Sequence, residues 1–138
     1  MDSDAPEQFR TLLDRPSAAV LTTYRKDGTA ALSPVWFRAA NGELEVVIAE
    51  GDVKLRHLSA RPTCSLLVFE TLPPFRGLRA EGEPTLRHEG VTEARLAIAS
   101  RYLGSDAGRR FTAARGPAVI LAMQLSEARS WDLSAILP

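Results

Sequence analysis

Short apolar runs with a two-residue period fill the first half of the chain and are separated by turn residues. Such alternation is typical of strands that bury one face. The pattern predicts strands at residues 17–24, 29–38 and 44–49, with Asp27-Gly28 and Asn41-Gly42 between them. These two dipeptides are strong signals for tight hairpin turns. We therefore expect the three strands to form an antiparallel meander.

The second half of the chain continues the series of short strands. The pattern predicts further strands at residues 63–69, 76–86, 118–125 and 128–133. The run at 63–69 is apolar enough to predict burial on both faces. Gly77 and Gly82 predict bends or close backbone approaches within the strand at 76–86.

Apolar positions at helical spacing predict three helices, at residues 7–14, 53–60 and 91–103. Pro16 ends the first, Asp52 is a suitable N-cap for the second, and Gly104 closes the third. The stretch after residue 104 is polar and carries Arg109, Arg110 and Arg115. It predicts a solvated loop, although in a groove these arginines could meet an anionic cofactor tail.

Alternating strand–helix–strand units are absent, which argues against a parallel sheet. We expect a mainly β (α+β) fold, a six- to seven-stranded antiparallel barrel with peripheral helices. The chain has 138 residues, which suits one domain spanning 1–138.

Composition narrows the classes of partner. Formal net charge is zero, so the chain lacks the basic excess typical of nucleic-acid binders. No apolar run approaches the roughly 20 residues that span a bilayer, and the acidic N-terminus is unlike a secretory signal. Cys64 is the single cysteine, which excludes an internal disulfide and favours a reducing compartment. We expect a cytoplasmic protein without nucleic-acid or membrane partners.

Two segments could carry chemistry. In the first, a strand ends at Gly51 and a helix begins with Lys54 and Arg56 close to its start. A helix N-terminus with two cations is suited to a phosphate, but the pattern alone favours a capped helix with solvated basic side chains.

The second segment is Ser33-Pro34-Val35-Trp36-Phe37. Its proline predicts an edge or bulge and its aromatic surface could accept a flat heterocycle, although an aromatic pair in the core is the commoner arrangement.

Metal and nucleophile sites are not expected. His57 and His88 stand far apart without the spacing of a metal site, and no Ser/His/Asp arrangement is visible.

Several motifs together resemble a known family. They are Asp27-Gly28, residues 33–37, Lys54-Leu55-Arg56-His57-Leu58, Arg61-Pro62, residues 74–82, Arg101-Tyr102-Leu103-Gly104 and Ser130-Trp131-Asp132-Leu133. In this order they are similar to the pyridoxamine 5′-phosphate oxidase-like split β-barrel proteins. The closer likeness is to the actinobacterial branch, the coenzyme F420 (deazaflavin)-dependent reductases.

The resemblance implies a homodimer with a cofactor in each of two grooves between subunits, and a small-molecule substrate. It assigns cofactor contacts to Ser33, Pro34, Val35, Trp36, Ile48, Ala49, Lys54, Arg56, Arg76, Gly77 and Trp131. Among these, Lys54 and Arg56 match the phosphate-binding positions, and Pro34 to Trp36 match the strand along the ring. Arg76 and Gly77 match a strand that reaches the cofactor from the partner subunit. No residue is assigned a catalytic role.

Two departures from the family matter. True oxidases carry an arginine-histidine pair near the C-terminus, whereas this chain ends Trp131-Asp132-Leu133-Ser134-Ala135-Ile136-Leu137-Pro138, so vitamin B6 oxidation is not expected. The oxidases also carry a serine-arginine pair immediately before the phosphate-binding lysine. This chain has Asp52-Val53 at those positions, which weakens the case for FMN.

We expect hydride transfer from reduced F420 to a small conjugated acceptor. The alternatives are an FMN-dependent oxidoreductase and a non-catalytic flavin or haem carrier.

Overall fold

The computed structural model describes residues 9–138, which contain nine strands and four α-helices. The strands are β1 (Ala18–Tyr24), β2 (Ala30–Val35), β3 (Arg38–Ala40), β4 (Glu43–Ala49), β5 (Cys64–Phe69), β6 (Gly77–Gly82), β7 (Thr85–Arg87), β8 (Ala118–Gln124) and β9 (Arg129–Trp131). The helices are α1 (Arg10–Asp14), α2 (Val53–Ala60), α3 (Val91–Leu103) and α4 (Ser105–Ala113).

The strands form two antiparallel sheets, ordered β2-β1-β5-β6-β9 and β3-β4-β8-β7. Alternate side chains of both sheets point inward to one core, which includes Leu21, Leu44, Leu66, Val68 and Leu121, each fully buried. The predicted mainly β (α+β) barrel with peripheral helices is confirmed. The count is nine rather than six or seven because two predicted strands each divide in two and the halves join different sheets.

The first division falls at Trp36 and Phe37. β2 pairs with β1 in the five-stranded sheet, while β3 pairs with β4 in the other. The predicted meander is therefore wrong, since the chain changes sheet in the middle of the strand predicted at 29–38. The strand predicted at 76–86 divides in the same way at Gly82, whose φ of 137° suits glycine and turns the chain from β6 to β7.

The hairpin signals were correct. β1 and β2 pair across the Asp27-Gly28 loop, and β3 and β4 pair across Asn41-Gly42. Asn41 and Gly42 have φ values of 52° and 80°, the left-handed pair that a type I′ turn requires.

Helices α2 and α3 match their predicted bounds, and the side chain of Asp52 caps α2. Helix α1 begins at Arg10, and residues 7 and 8 of the predicted helix lie outside the described residues. The predicted loop after Gly104 is wrong because residues 105–113 form α4. None of the helices within residues 9–138 has the length and apolar character needed to cross a bilayer.

Strand β5 is buried on one face only. Cys64, Leu66 and Val68 point into the core, while Ser65, Leu67 and Phe69 on the opposite face are half-buried. The predicted burial on both faces is therefore wrong for the single chain. Burial raises the pKa of the Cys64 thiol to about 12.

Side chains from α3 hold the point where the chain changes sheet. Phe37 is fully buried and lies between β2 and β3. Its N–H donates to the Tyr102 hydroxyl oxygen at 3.3 Å, and its carbonyl accepts from Nε of Arg101 at 3.0 Å. Arg101 Nη2 also donates to the carbonyls of Leu13 and Arg15, at 3.0 and 2.6 Å. One guanidinium thus joins α3, the end of α1 and the sheet crossing.

We expect Arg101→Lys to lower the free energy of unfolding by about 2–3 kcal/mol, because hydrogen bonds from a charged donor contribute about 1.5–3 kcal/mol each and an ammonium cannot span these carbonyls. Chemical denaturation followed by circular dichroism measures the change. Arg110→Lys, at an exposed position of α4, is the matched control and should stay within about 0.5 kcal/mol of wild type. Equal effects of the two substitutions would contradict the role given to Arg101.

Candidate functional site

A cleft of about 340 Å³ opens between β4, the end of β2 and helices α3 and α4. Its volume falls within the roughly 300–1,000 Å³ typical of small-molecule sites. Its walls are mainly apolar and aromatic, apart from two arginines. The lining residues are Pro34, Val35, Trp36, Val46, Val47, Ala49, Arg95, Ile98, Ala99, Phe111 and Arg115.

An aromatic stack fixes one wall of the cleft. The Trp36 ring lies parallel to the Tyr102 ring, with centroids 5.2 Å apart and planes 11° apart. Phe111 of α4 contacts Trp36 at 5.2 Å with a tilt of 49°. The Tyr102 hydroxyl donates to the Ser17 carbonyl at 3.0 Å, and burial raises the pKa of Tyr102 above its ordinary value. Trp36 is therefore held against a neutral, anchored ring.

Two guanidinium groups stand at the α3–α4 side of the cleft. Arg115 lies over the Phe111 ring, 4.0 Å from its centroid, and Arg95 Nη1 donates to the Gly116 carbonyl at 2.9 Å. Desolvation lowers the pKa of Arg95, and the positive charge of Arg115 lowers it further. Both arginines also line an adjoining polar cavity of about 430 Å³, together with Glu50 and His88. The cleft therefore passes from an apolar end to a cationic end.

Four of the residues that the sequence assigned to the cofactor lie together in this cleft: Pro34, Val35, Trp36 and Ala49. Ile48 is adjacent in β4, but its side chain is 3% exposed and belongs to the core. Ser33 pairs across the sheet with Leu21, so the two residues share the inward face. Neither Ser33 nor Ile48 lines the cleft.

Lys54 and Arg56 lie near the start of α2 and outside the cleft lining. The Asp52 carboxylate accepts from the Lys54 amide at 2.9 Å and from its ammonium at 3.1 Å. Desolvation acts to raise the pKa of Asp52, but the hydrogen bonds and charge of Lys54 outweigh it and leave that pKa below its ordinary value. An ionised carboxylate thus occupies the helix N-terminus where a phosphate would bind. Arg56 is exposed.

Arg76, Gly77 and Trp131 form a separate group on β6 and β9. Nε of Arg76 pairs with the Glu70 carboxylate at 2.8 Å. The Trp131 indole covers Gly77 so closely that a Cβ there would lie 2.3 Å from a ring carbon, which accounts for the glycine. This group does not line the cleft of its own chain. The assignment of Arg76 and Gly77 to a partner's cofactor, and of Trp131 to the cofactor ring, stays a prediction.

Sequence reasoning missed the α3–α4 side of the cleft. Arg95 and Phe111 were not singled out, and Arg115 was placed in a loop with Arg109 and Arg110. The structure puts Arg109 and Arg110 on the exposed side of α4, with Arg109 paired to Asp106. Asp106 in the first turn was the available signal, because acidic residues favour helix starts.

Other titratable groups have structural partners. The Nδ1 atom of His57 hydrogen-bonds the buried Thr23 hydroxyl at 2.9 Å, which ties α2 to β1. Throughout residues 9–138, no three His, Cys, Asp or Glu side chains are grouped to hold a metal ion.

The two interlocked sheets, with an aromatic cleft at their junction, define the chain as a split-barrel protein. A family model described as pyridoxamine 5′-phosphate oxidase matches residues 5–132. The chain belongs to this family.

Solved structures share the fold. A conserved hypothetical protein from Mycobacterium tuberculosis is 21% identical, with the alignment covering 100% of this chain and 93% of that one at a TM-score of 0.80. A structure titled F420 reductase is 23% identical, with coverage of 91% and 98% and a TM-score of 0.70. An FAD and haem binding protein from Mycobacterium smegmatis is 18% identical, with coverage of 93% and 70% and a TM-score of 0.67. A search of the curated proteins finds no match to this sequence.

The cleft depends on close packing of α4 against α3. A Cβ on Gly108 would lie 2.4 Å from the Ser100 hydroxyl and 2.8 Å from the Ser100 Cα, which cannot move aside. We expect Gly108→Ala to lower the free energy of unfolding by about 1–3 kcal/mol, the usual cost of overpacking, and to disturb the contact between Phe111 and Trp36. Chemical denaturation measures the first effect and near-ultraviolet circular dichroism the second.

Gly116→Ala is the control, because a Cβ there meets nothing within 4 Å. It should remain within about 0.5 kcal/mol of wild type. A Gly108→Ala protein as stable as wild type would contradict the close packing of these helices.

Proposed function

We propose that this protein is a cytoplasmic, homodimeric reductase that binds coenzyme F420 and transfers hydride from its reduced form to a small conjugated acceptor. The observation that carries this proposal is the cleft beside Trp36. Four residues assigned from the sequence to a flavin-type cofactor, three of them to its ring, line one cavity of suitable size. The likeness to a structure titled F420 reductase, over 91% of this chain, adds support.

The lining suits a flat, mostly apolar ring. Pro34 and Val35 offer apolar surface at a strand end, and Trp36 offers an indole whose orientation Tyr102 fixes. Aromatic rings prefer such stacked or tilted neighbours. Among the described lining residues, the ionisable side chains are Arg95 and Arg115, so the walls contain no carboxylate, imidazole or thiol that would act as an acid or base.

That composition is consistent with a reaction in which the cofactor performs the difficult chemistry and the protein supplies orientation. A bound deazaflavin would supply a hydride when reduced. The chain's own contribution is to hold the ring against Trp36, exclude water with the apolar residues of β4 and α3, and bind anionic groups through its basic side chains.

Lys54 is the proposed phosphate contact, with Arg56 beside it. An ammonium carries three N–H donors, and Lys54 directs donors to both carboxylate oxygens of Asp52. A phosphate would share the ammonium with this carboxylate. The α2 site therefore fits a phosphate less well than the cleft fits a ring, and Asp52 is the residue that limits it.

We expect Lys54→Ala to weaken F420 binding roughly tenfold to a hundredfold, because a charge-assisted contact contributes about 1.5–3 kcal/mol.

Asp52→Asn should act in the opposite direction and tighten F420 binding by about fivefold. Asparagine caps a helix as well as aspartate does, and removing a neighbouring negative charge relieves about 1 kcal/mol of repulsion, the energy of two unit charges about 4 Å apart in water. Cofactor fluorescence during titration measures both affinities.

Arg129→Ala, at an exposed site on β9, is the control and should leave affinity unchanged. The phosphate assignment fails if Lys54→Ala binds F420 as tightly as wild type. Parallel titrations with FMN separate the two cofactors, and F420 should bind more tightly.

The dimer is supported by an apolar face on the five-stranded sheet. Pairing in register places Pro34 and Leu67 on either side of Val20, on the face opposite the core. Leu32 extends this face and is 67% exposed. Pro34 belongs both to this face and to the cleft. A second copy seated here would border the cleft and exclude solvent from it.

We expect the wild-type protein to sediment as two chains at micromolar concentration and Leu32→Glu to sediment as one, because the new carboxylate would be buried without a partner. Leu72→Glu is the matched control. Leu72 is 71% exposed in the loop before β6, so this variant should keep the mass of wild type. A monomeric wild-type protein would refute the dimer.

A non-catalytic flavin or haem carrier is the second candidate, and the lack of acid–base residues in the cleft lining favours it equally. Turnover decides between the two. The reductase should oxidise reduced F420 in the presence of enones or quinones, whereas a carrier should bind the cofactor without turnover of any member of the panel.

A further inference from the structure

We propose that the α3–α4 end of the cleft is a binding site for the carboxylate of a planar organic acid, held by Arg95 and Arg115. The apolar end of the cleft would take the ring of this acid. The site is distinct from Lys54 and needs no cofactor to form. The ring of the acid and the deazaflavin ring of the proposed function would share the wall beside Trp36, so the acid would bind the cofactor-free protein and compete with the cofactor. Its binding therefore does not rest on the proposed function.

Both guanidinium groups are fixed by contacts that leave donors available. Arg115 is stacked on the face of Phe111, a contact that uses none of its N–H groups. Arg95 directs Nη1 to a backbone carbonyl. An arginine carries five N–H donors, and within residues 9–138 neither side chain forms an ion pair with a carboxylate. The two like charges are therefore held near one another, with Arg95 half-buried and Arg115 exposed, and a bound anion would relieve their repulsion.

The charge of the surroundings favours a singly charged anion. Glu50 and His88 also line the polar cavity that the two arginines share. The cavity lining thus has two guanidinium groups against the one carboxyl group of Glu50, so basic groups are in excess by one. A singly charged carboxylate matches this excess, whereas the charge of a phosphate dianion is larger than it. The planar fork of arginine also fits a carboxylate through two parallel hydrogen bonds.

The aromatic wall specifies the rest of the ligand. Phe111 contacts Arg115 on one side and Trp36 on another, so the cationic and aromatic parts of the cleft are continuous. A ligand that joins a flat ring directly to a carboxylate can occupy both parts at once. Aliphatic acids would leave the aromatic wall uncovered.

The site is tested by calorimetric titration of the full chain in the absence of cofactor. One titration uses naphthoate and the other uses its neutral amide, naphthamide. Wild type should bind naphthoate at least tenfold more tightly than naphthamide. Arg115→Gln and Arg95→Gln should each lower naphthoate affinity about tenfold or more and leave naphthamide affinity unchanged. Glutamine removes the charge while its amide can still donate to a backbone carbonyl.

Arg110→Gln is the matched control, because Arg110 lies exposed on α4 and outside the cleft lining. It should bind naphthoate as wild type does, and thermal unfolding should show that all three variants are folded. Arg115→Lys provides a second check, since it keeps the charge but loses the fork, and should retain part of the affinity.

Equal affinity for naphthoate and naphthamide, or naphthoate affinity unaffected by both glutamine variants, overturns the proposal. These results are separable from failure of the proposed function. If the F420 assignment is wrong, Lys54→Ala will bind F420 as tightly as wild type does, and naphthoate binding will be unaffected. Failure of the acid site would leave the effect of Lys54→Ala on F420 intact.

Discussion

The hydrogen bonds that Arg101 and Tyr102 make to Phe37 are the constraint on which the rest of this structure depends. A split barrel must carry its chain from one sheet to the other, and a residue at the crossing loses its ladder partners while it remains buried. Buried backbone groups without partners are costly. Here Phe37 is fully buried, and side chains of α3 serve both its N–H and its C=O. The sheet crossing and the position of α3 are therefore fixed by the same bonds.

The cleft is a consequence of this junction. Trp36 precedes Phe37, and its ring stacks on Tyr102, whose hydroxyl oxygen accepts from the Phe37 N–H. Helix α4 packs on α3 through the Gly108–Ser100 approach and brings Phe111 against Trp36. The walls of the site are thus set by packed helices and a strand end. A site built on rigid elements can hold a ligand ring in a defined orientation at small entropic cost.

Local sequence patterns predicted the strands and hairpins because period and turn chemistry are local properties. They could not predict the two sheet crossings, since alternation continues through residues 36–37 and 82–84 whether or not the chain changes sheet. Pro34, Val35, Trp36 and Ala49 were found through the resemblance to a family. Arg95 and Phe111 were missed because their place in the cleft depends on how α4 packs on α3. No spacing in the sequence encodes that contact.

The distribution of charge also differs from what the sequence suggested. Positive potential was expected at the start of α2, but the ionised carboxylate of Asp52 lies against both the amide and the ammonium of Lys54 there. At the α3–α4 end of the cleft, Arg95 is partly desolvated and lies close enough to Arg115 for that positive charge to lower its pKa. Among residues 9–138 neither of these arginines forms an ion pair with a carboxylate, whereas Lys54 is paired with Asp52. The arginines at the α3–α4 end of the cleft therefore have more donors free for an anion than Lys54 has, which is the basis of the acid site proposed there.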